Sequence, residues 1–179
     1  MKITIAGKAG SGKSVIAEAI AKEFNLKHYS TGDLFRELAT EAGMKVEDFS
    51  KTRADEVDFK VDEITTKIGK EEDNFIFDSR LAFHFIPDSI KIFLDVSFEE
   101  GAKRIFKDQR ESEAKANSVE ELAERNKVRW ATDNKQYIKL YNIDMDDLTQ
   151  YDILIDTTNF TINESITKIK QTIRTLQEE

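Results

Sequence analysis

Gly7-Lys8-Ala9-Gly10-Ser11-Gly12-Lys13-Ser14 decides the reading of this chain. The octapeptide fits G-x-x-x-x-G-K-[ST], the pattern of a phosphate-binding P-loop. Its flanks supply the context that such a loop requires. Upstream, Lys2-Ile-Thr-Ile-Ala6 is a short apolar run rich in β-branched residues, which predicts a buried strand. Downstream, Ile16, Ala19, Ile20 and Phe24 recur at helical spacing, which predicts a helix beginning near Lys13.

The chemistry needs this order of parts. Gly7, Gly10 and Gly12 let the backbone curl with its N–H groups pointing inward. The new helix adds free N–H groups and the positive end of its dipole at the same spot. Lys13 is placed to reach the terminal phosphates, and the Ser14 hydroxyl to ligate Mg²⁺. Lys8, Ala9 and Ser11 complete the loop. A glycine-rich turn without a ligand is the competing reading, and the register of strand, loop and helix argues against it.

Composition narrows the class. The chain has 179 residues, 39% hydrophobic and 35% charged, enough for one α/β domain with a sizeable core. No apolar run approaches the roughly 20 residues of a membrane helix. The N-terminus enters the first strand at once, so no signal peptide is expected, and a cytoplasmic location follows as the default. There is no cysteine, hence neither a disulfide framework nor a thiolate metal site. A net charge of −8 lacks the basic excess of a broad nucleic-acid surface.

Working outward, Lys27–Ser30 is a candidate second strand. Thr31-Gly-Asp-Leu-Phe-Arg36 then opens a helix to about Ala42, with Thr31 or Asp33 as its cap and Gly43 as its stop. Gly32 at a helix N-terminus, followed one turn in by Arg36, makes a second anion site. Met44 to about Asp73 is helical in pattern, with an apolar stripe of Val46, Phe49, Val57, Val61, Ile64 and Ile68. Asn74–Arg80 reads as a strand that ends in Asp78, a carboxylate placed to hold Mg²⁺, followed by Arg80 as a clamp for an acceptor phosphate.

Ser89–Asp95 is a further core strand, with Asp95 read as a strand end and not as a chemical group. Capping boxes open three helices, at Ser97–Glu100, Ser118–Glu121 and Thr161–Glu164, and residues 111–117 are expected as a loop. The first of these helices carries Phe98, Ala102, Ile105 and Phe106 on its inward face, with Arg104 on it and Arg110 at its end. The second carries Arg125, Arg129 and Asp133 four apart on one face, beside Gln136. That row is either an exposed ladder of ion pairs or a lid of arginines over a triphosphate. Gln150–Asp156 is the last strand, and Ile162, Ile166, Ile169, Ile173 and Leu176 pack the terminal helix. His28 and His84 lie outside the phosphate motifs.

The Ser30-Thr-Gly-Asp-Leu-Phe-Arg36 segment resembles the acceptor-binding motif of nucleoside monophosphate kinases. Over its whole length the chain is similar to the cytidylate kinases of the short archaeal type. The similarity runs through Phe49-Ser-Lys51, Asp78-Ser-Arg80, Ile92–Asp95, Tyr141-Asn-Ile-Asp-Met-Asp-Asp-Leu148 and Tyr151–Thr157. It implies a P-loop NTPase fold: a five-stranded parallel sheet flanked by helices, with a small helical NMP-binding insertion and a lid. One domain over 1–179 is expected, its core at 1–30, 74–108 and 137–179, the insertion at about 31–73 and the lid at about 109–136.

The same resemblance implies an ATP-dependent CMP or dCMP kinase that uses Mg²⁺ and works as a monomer on ATP and CMP. Gly7 to Ser14 and Arg104 would bind ATP. Ser30, Thr31, Gly32, Asp33, Arg36, Arg80, Arg129 and Asp133 would bind the monophosphate, while Lys13, Arg110, Arg125 and Arg129 would carry catalysis. Ser14 and Asp78 would hold the metal. Three positions depart from the family pattern. Gln136 replaces an arginine, Ser79 stands at a usual glycine and could crowd the ligand, and Asn142 replaces a glycine where a positive φ is tolerable. Three other readings remain: a kinase for UMP or AMP, a small-molecule kinase phosphorylating an alcohol, for which the sequence offers no obvious base near the acceptor, and a nucleotide-switched ATPase acting on an RNA or protein.

Overall fold

The computed structural model describes residues 1–44, 49, 54–107 and 116–178. Apolar runs become strands and the capped segments become helices, in the order β1 (Lys2–Gly7), α1 (Lys13–Glu23), β2 (Lys27–Ser30), α2 (Thr31–Glu41), α3 (Ala54–Glu71), β3 (Phe75–Asp78), α4 (Ala82–Phe85), β4 (Ile90–Asp95), α5 (Phe98–Lys107), α6 (Val119–Tyr141), β5 (Ile153–Asp156) and α7 (Ile162–Glu178). The sheet has five strands in the order β2-β3-β1-β4-β5, and its strands run parallel. The expected five-stranded parallel sheet is present. Because helices cover such a sheet, its inner strands carry near-continuous apolar side chains. Ile3 and Ile5 of β1, Phe75, Ile76 and Phe77 of β3, and Ile92 and Leu94 of β4 have no exposed surface.

The chain packs as two compact units: Met1–Ala6 with Ala17–Lys91, and Gly7–Ile16 with Ile92–Glu179. In the first, Leu34 and Leu38 of α2 and Val57, Val61 and Ile68 of α3 pack with Phe49, Phe75 and Phe77 into one cluster. The apolar stripe of the insertion therefore faces a core, as its periodicity predicts; Val46, Ser50 and Lys51 lie outside the described residues. Helix α2 stops as expected. Gly43, at φ 67°, donates its N–H to the Thr40 carbonyl, and Met44 donates to Ala39. This paired closure satisfies two carbonyls that the helix end would otherwise strand. The cap differs from expectation. Ser30, not Thr31 or Asp33, is the N-cap, its Oγ accepting from the Asp33 N–H at 3.0 Å.

The second unit shows the three capping serines and threonines at work. Ser97 and Ser118 each accept from the N–H three residues on, at 3.1 Å. Thr161 and Glu164 close a full reciprocal box, at 3.2 and 2.8 Å. Ala102 of α5 packs against Leu122 and Ala123 of α6, flanked by Phe98 and Ile105. Two expected core residues are exposed instead: Phe106 and Leu176. Gly101 and Ala102 take the centre of the buried face of α5, which turns Phe106 to its margin. On α7 the buried set is Ser165, Ile169 and Ile173, so the seam ends before Leu176. Helix α6 ends at Asn142, whose φ of 56° supplies the left-handed cap that asparagine tolerates.

Candidate active site

The phosphate loop leaves β1 at Gly7 and delivers the chain into α1. Gly10 and Gly12 take φ values of 82° and 85°, which side chains rarely adopt. The Ser11 N–H donates to the Lys8 carbonyl at 3.2 Å, and Ile16 donates to Gly12 at 3.0 Å to close the first turn of the helix. The first N–H groups of any α-helix lack intrahelical partners, so this turn is ready to donate to an anion. Lys13 is half-buried at its start and Ser14 is exposed. Ser11 is buried, and its Oγ has no hydrogen-bond partner.

Two contacts from distant segments set the shape of this loop. Gly101 in α5 lies against Ala9 and Gly10 so closely that a Cβ on either glycine would meet backbone. Arg104, one turn later, spends its guanidinium on the protein itself. Its Nη1 donates to the Gly10 carbonyl at 3.3 Å and to Thr157 Oγ1 at 3.3 Å. Its Nη2 donates to the Thr157 carbonyl at 2.7 Å and to Thr158 at 3.2 Å, and its Nε donates to Glu100 at 3.2 Å. Arg104 thus joins the phosphate loop to the segment after β5. The Ser97 N–H turns to Thr158 Oγ1 at 3.0 Å, which leaves Glu100 free to hold Arg104.

Lys8 also finds protein partners. Its Nζ lies 2.7 Å from Asp95 Oδ1, at the carboxyl end of β4, and over the rings of Phe98 and Trp130. Asp95 ends its strand as read, but it also pairs with the phosphate loop, which no local pattern announces. Along α6, Arg125 pairs with Glu121 at 2.9 Å and Arg129 with Asp133 at 3.9 Å. An exposed pair of this spacing, such as Arg125 with Glu121, contributes only about 0.3–0.5 kcal/mol. Arg110 lies outside the described residues.

The motif at residues 30–36 is built at the ends of β2 and β3. Strand register sets Ser30 beside Asp78, and Asp78 beside Ile5, so three chain segments reach the same level of the sheet. Asp78 is buried there. Beyond it, Ser79 donates its N–H to the Ile5 carbonyl at 3.1 Å, and its Oγ accepts from Leu81 at 3.3 Å. Ser79 is not among the residues with positive φ, so its backbone needs no glycine there. The hydroxyl builds the turn that carries Arg80.

At the start of α2, Ser30 Oγ donates to Asp33 at 2.6 Å, and the other Asp33 oxygen accepts from Arg36. The Ser30 bond first, and then Arg36, hold the Asp33 carboxyl below its ordinary range. Arg36 folds back over the first turn, where a Cβ on Gly32 would stand 3.5 Å from its Nη1. Guanidinium and helix N-terminus therefore meet at one place. Thr31 Oγ1 is buried beside them with no hydrogen-bond partner.

Residues 2–159 match the model of the cytidylate kinase-like family. A cytidylate kinase of Methanocaldococcus jannaschii is 37% identical over 169 residues, covering 90% of this chain and 91% of that one. One from Methanosphaera stadtmanae is 33% identical, covering 97% and 98%. Among solved structures, a shikimate kinase from Bacteroides thetaiotaomicron superposes with a TM-score of 0.70 at 14% identity, covering 97% of this chain and 98% of that one. At that identity the likeness speaks for the fold alone.

Proposed function

The chain belongs to the cytidylate kinase-like family, and from that premise we propose that it transfers the γ-phosphoryl group of ATP to CMP or dCMP. An acceptor phosphate oxygen attacks the γ-phosphorus, the bond to the β,γ-bridging oxygen breaks, and ADP leaves with CDP or dCDP formed. The observation that carries this reading is the pairing of an intact phosphate loop with a second, separately built anion site at Ser30–Arg36.

A phosphate monoester has a second pKa of about 6, so the nucleophile is ionised at neutral pH and needs no general base. Catalysis is then positioning and charge neutralisation. Lys13 and the N–H groups at the start of α1 hold the donor phosphates. Arg36, Arg80, the α2 N-terminus and the Thr31 hydroxyl hold the acceptor phosphate. Arg125 and Arg129 of α6 meet the transferring group, and closure over it excludes water, since hydrolysis of ATP is the competing reaction.

Among the described residues no cluster of three or more histidine or carboxylate groups could cage a cation. Mg²⁺ binds through one or two protein oxygens together with nucleotide phosphates. The exposed Ser14 hydroxyl and the buried Asp78 carboxylate are the oxygens that would hold it. When bound, it neutralises phosphate charge. Arg104 acts on ATP indirectly in this reading, by holding the loop. The test is a coupled ADP-release assay with CMP, dCMP, UMP, AMP and GMP. Preferred turnover of CMP or dCMP is expected; ATP hydrolysis that ignores every acceptor would overturn the proposal.

A further inference from the structure

Residue 8 sits inside the phosphate loop, and a lysine there invites the role of a phosphate ligand. Its surroundings argue for another. The Nζ lies 2.7 Å from Asp95 Oδ1, with the Lys8 side chain 21% and the Asp95 side chain 37% exposed. Half-buried charges at that distance are screened far less than surface pairs. The same ammonium stands 5.1 Å from the Phe98 ring centre and 5.8 Å from that of Trp130, within reach of both aromatic faces. Its own N–H donates to the Leu94 carbonyl at 3.2 Å, so main chain and side chain both tie residue 8 to the end of β4.

Trp130 is held just as firmly. Its Nε1 donates to Asp146 at 2.9 Å, and its ring meets Phe93 edge-on at 6.1 Å. Asn134, one turn along α6, donates to Asp144 at 2.8 Å and Asp146 at 3.3 Å, and accepts from the Met145 N–H at 2.7 Å. The segment after α6 is thereby bonded to the face of the helix that meets Lys8. Arg129 is the neighbour of Trp130, and Arg125 lies five residues earlier. Whatever fixes residue 130 fixes the rotation and axial position of both arginines.

We propose that Lys8 is a positioning residue, which with Asp95 and Trp130 fastens the phosphate loop to β4 and to α6, and so sets where the arginines of α6 stand. The inference rests on the reading that this loop binds ATP. A phosphate ligand and a fastener respond oppositely to loss of the counter-ion. Were Lys8 a ligand held in reserve, Asp95→Asn would release it, and ATP affinity would rise or stay unchanged while Lys8→Met weakened it. As a fastener, Lys8 fails in the same way whichever partner is removed.

The experiment measures MgATP affinity by calorimetry without acceptor, and steady-state kinetics with CMP, for Lys8→Met, Asp95→Asn, their double variant and Trp130→Phe. Each single variant is expected to lower kcat about tenfold while the ATP constants move less than about twofold. The double variant should be no worse than Lys8→Met, since Asp95→Asn removes only a contact that Lys8→Met has already removed. Lys8→Arg, which keeps the charge, should restore most of the loss. Trp130 is the only tryptophan, so its emission reads the contact directly, and Lys8→Met and Asp95→Asn should each shift it in the unliganded protein.

ATP affinity about tenfold weaker in Lys8→Met but intact in Asp95→Asn would overturn the proposal, as would tryptophan emission indifferent to both changes. Emission and ATP affinity need no acceptor. Wild-type protein that binds ATP but phosphorylates no monophosphate would therefore defeat the reaction assigned above, while those two readouts still judge the fastener.

Discussion

Gly10 and Gly101 meet backbone to backbone: a Cβ on Gly10 would lie 2.3 Å from the Gly101 carbonyl oxygen, and one on Gly101 would lie 2.4 Å from the Ala9 oxygen. Intrinsic propensity favours alanine over glycine in a helix by about 1 kcal/mol. The overlap outweighs it, because neither atom is the end of a flexible side chain. Gly101→Ala is expected to destabilise the protein by about 1–3 kcal/mol and to raise the KM for ATP. Thermal melts and ATP saturation curves check this; an unchanged melting temperature would refute the close contact.

Lys13→Ala tests the phosphate loop itself. Lys13 heads α1 and is half-buried, so little packing is lost and the fold should survive by circular dichroism. Turnover should fall by about 10²–10³-fold or more, the size expected when a preorganised charge is removed from a transferring group. Turnover within a few-fold of wild type would remove Lys13 from the reaction.

Ser30→Ala separates the acceptor motif from the donor loop. It deletes the cap of α2 and the strongest partner of Asp33, at a cost of about 1 kcal/mol in stability. With Asp33 less fixed, Arg36 loses its anchor. The KM for CMP should rise severalfold with the KM for ATP unchanged. Equal effects on both constants would mean that the motif acts on the fold alone.

A pH series tests the contact that ties β2 to the end of α3. Glu72 accepts from Lys27 at 2.6 Å and from Tyr29 at 2.8 Å. The Lys27 bond first, then Tyr29, hold Glu72 below its ordinary 4.5, and Glu72 holds Lys27 above its ordinary 10.5. Burial, then the bond to Glu72, raises Tyr29. A depressed carboxylate stabilises above its unfolded value and loses that contribution as pH falls through the folded one. A raised lysine stabilises below its unfolded value and loses it as pH rises through the folded one. Glu72→Gln should therefore lower the urea midpoint most between about pH 5 and 10, and converge on wild type at both extremes. A difference independent of pH would show that packing, not charge, is lost.

What could be read in advance was local. The phosphate loop, the Ser30–Arg36 motif, the stop at Gly43 and the left-handed Asn142 each depend on residues within a few positions of one another. The strands announced themselves as apolar runs. What stayed hidden pairs distant segments: Lys8 with Asp95, Ala9 and Gly10 with Gly101, Arg104 with Thr157. Gly101 did carry a signal, since glycine inside a helix costs stability unless something approaches closely. The misplacements of Phe106 and Leu176 have one cause. Helical periodicity gives the direction of a buried face but not its width or length, and small residues at Gly101 and Ser165 fill the centre instead.

Arg104 reaches the Gly10 carbonyl across 94 positions of sequence and the Thr157 carbonyl across 53. The brace on residues 7–14 waits for the segment that follows the last strand. Long-range closures of this kind are made late and slowly. The loop of residues 7–14 therefore gains its brace only once the segment beyond β5 has docked.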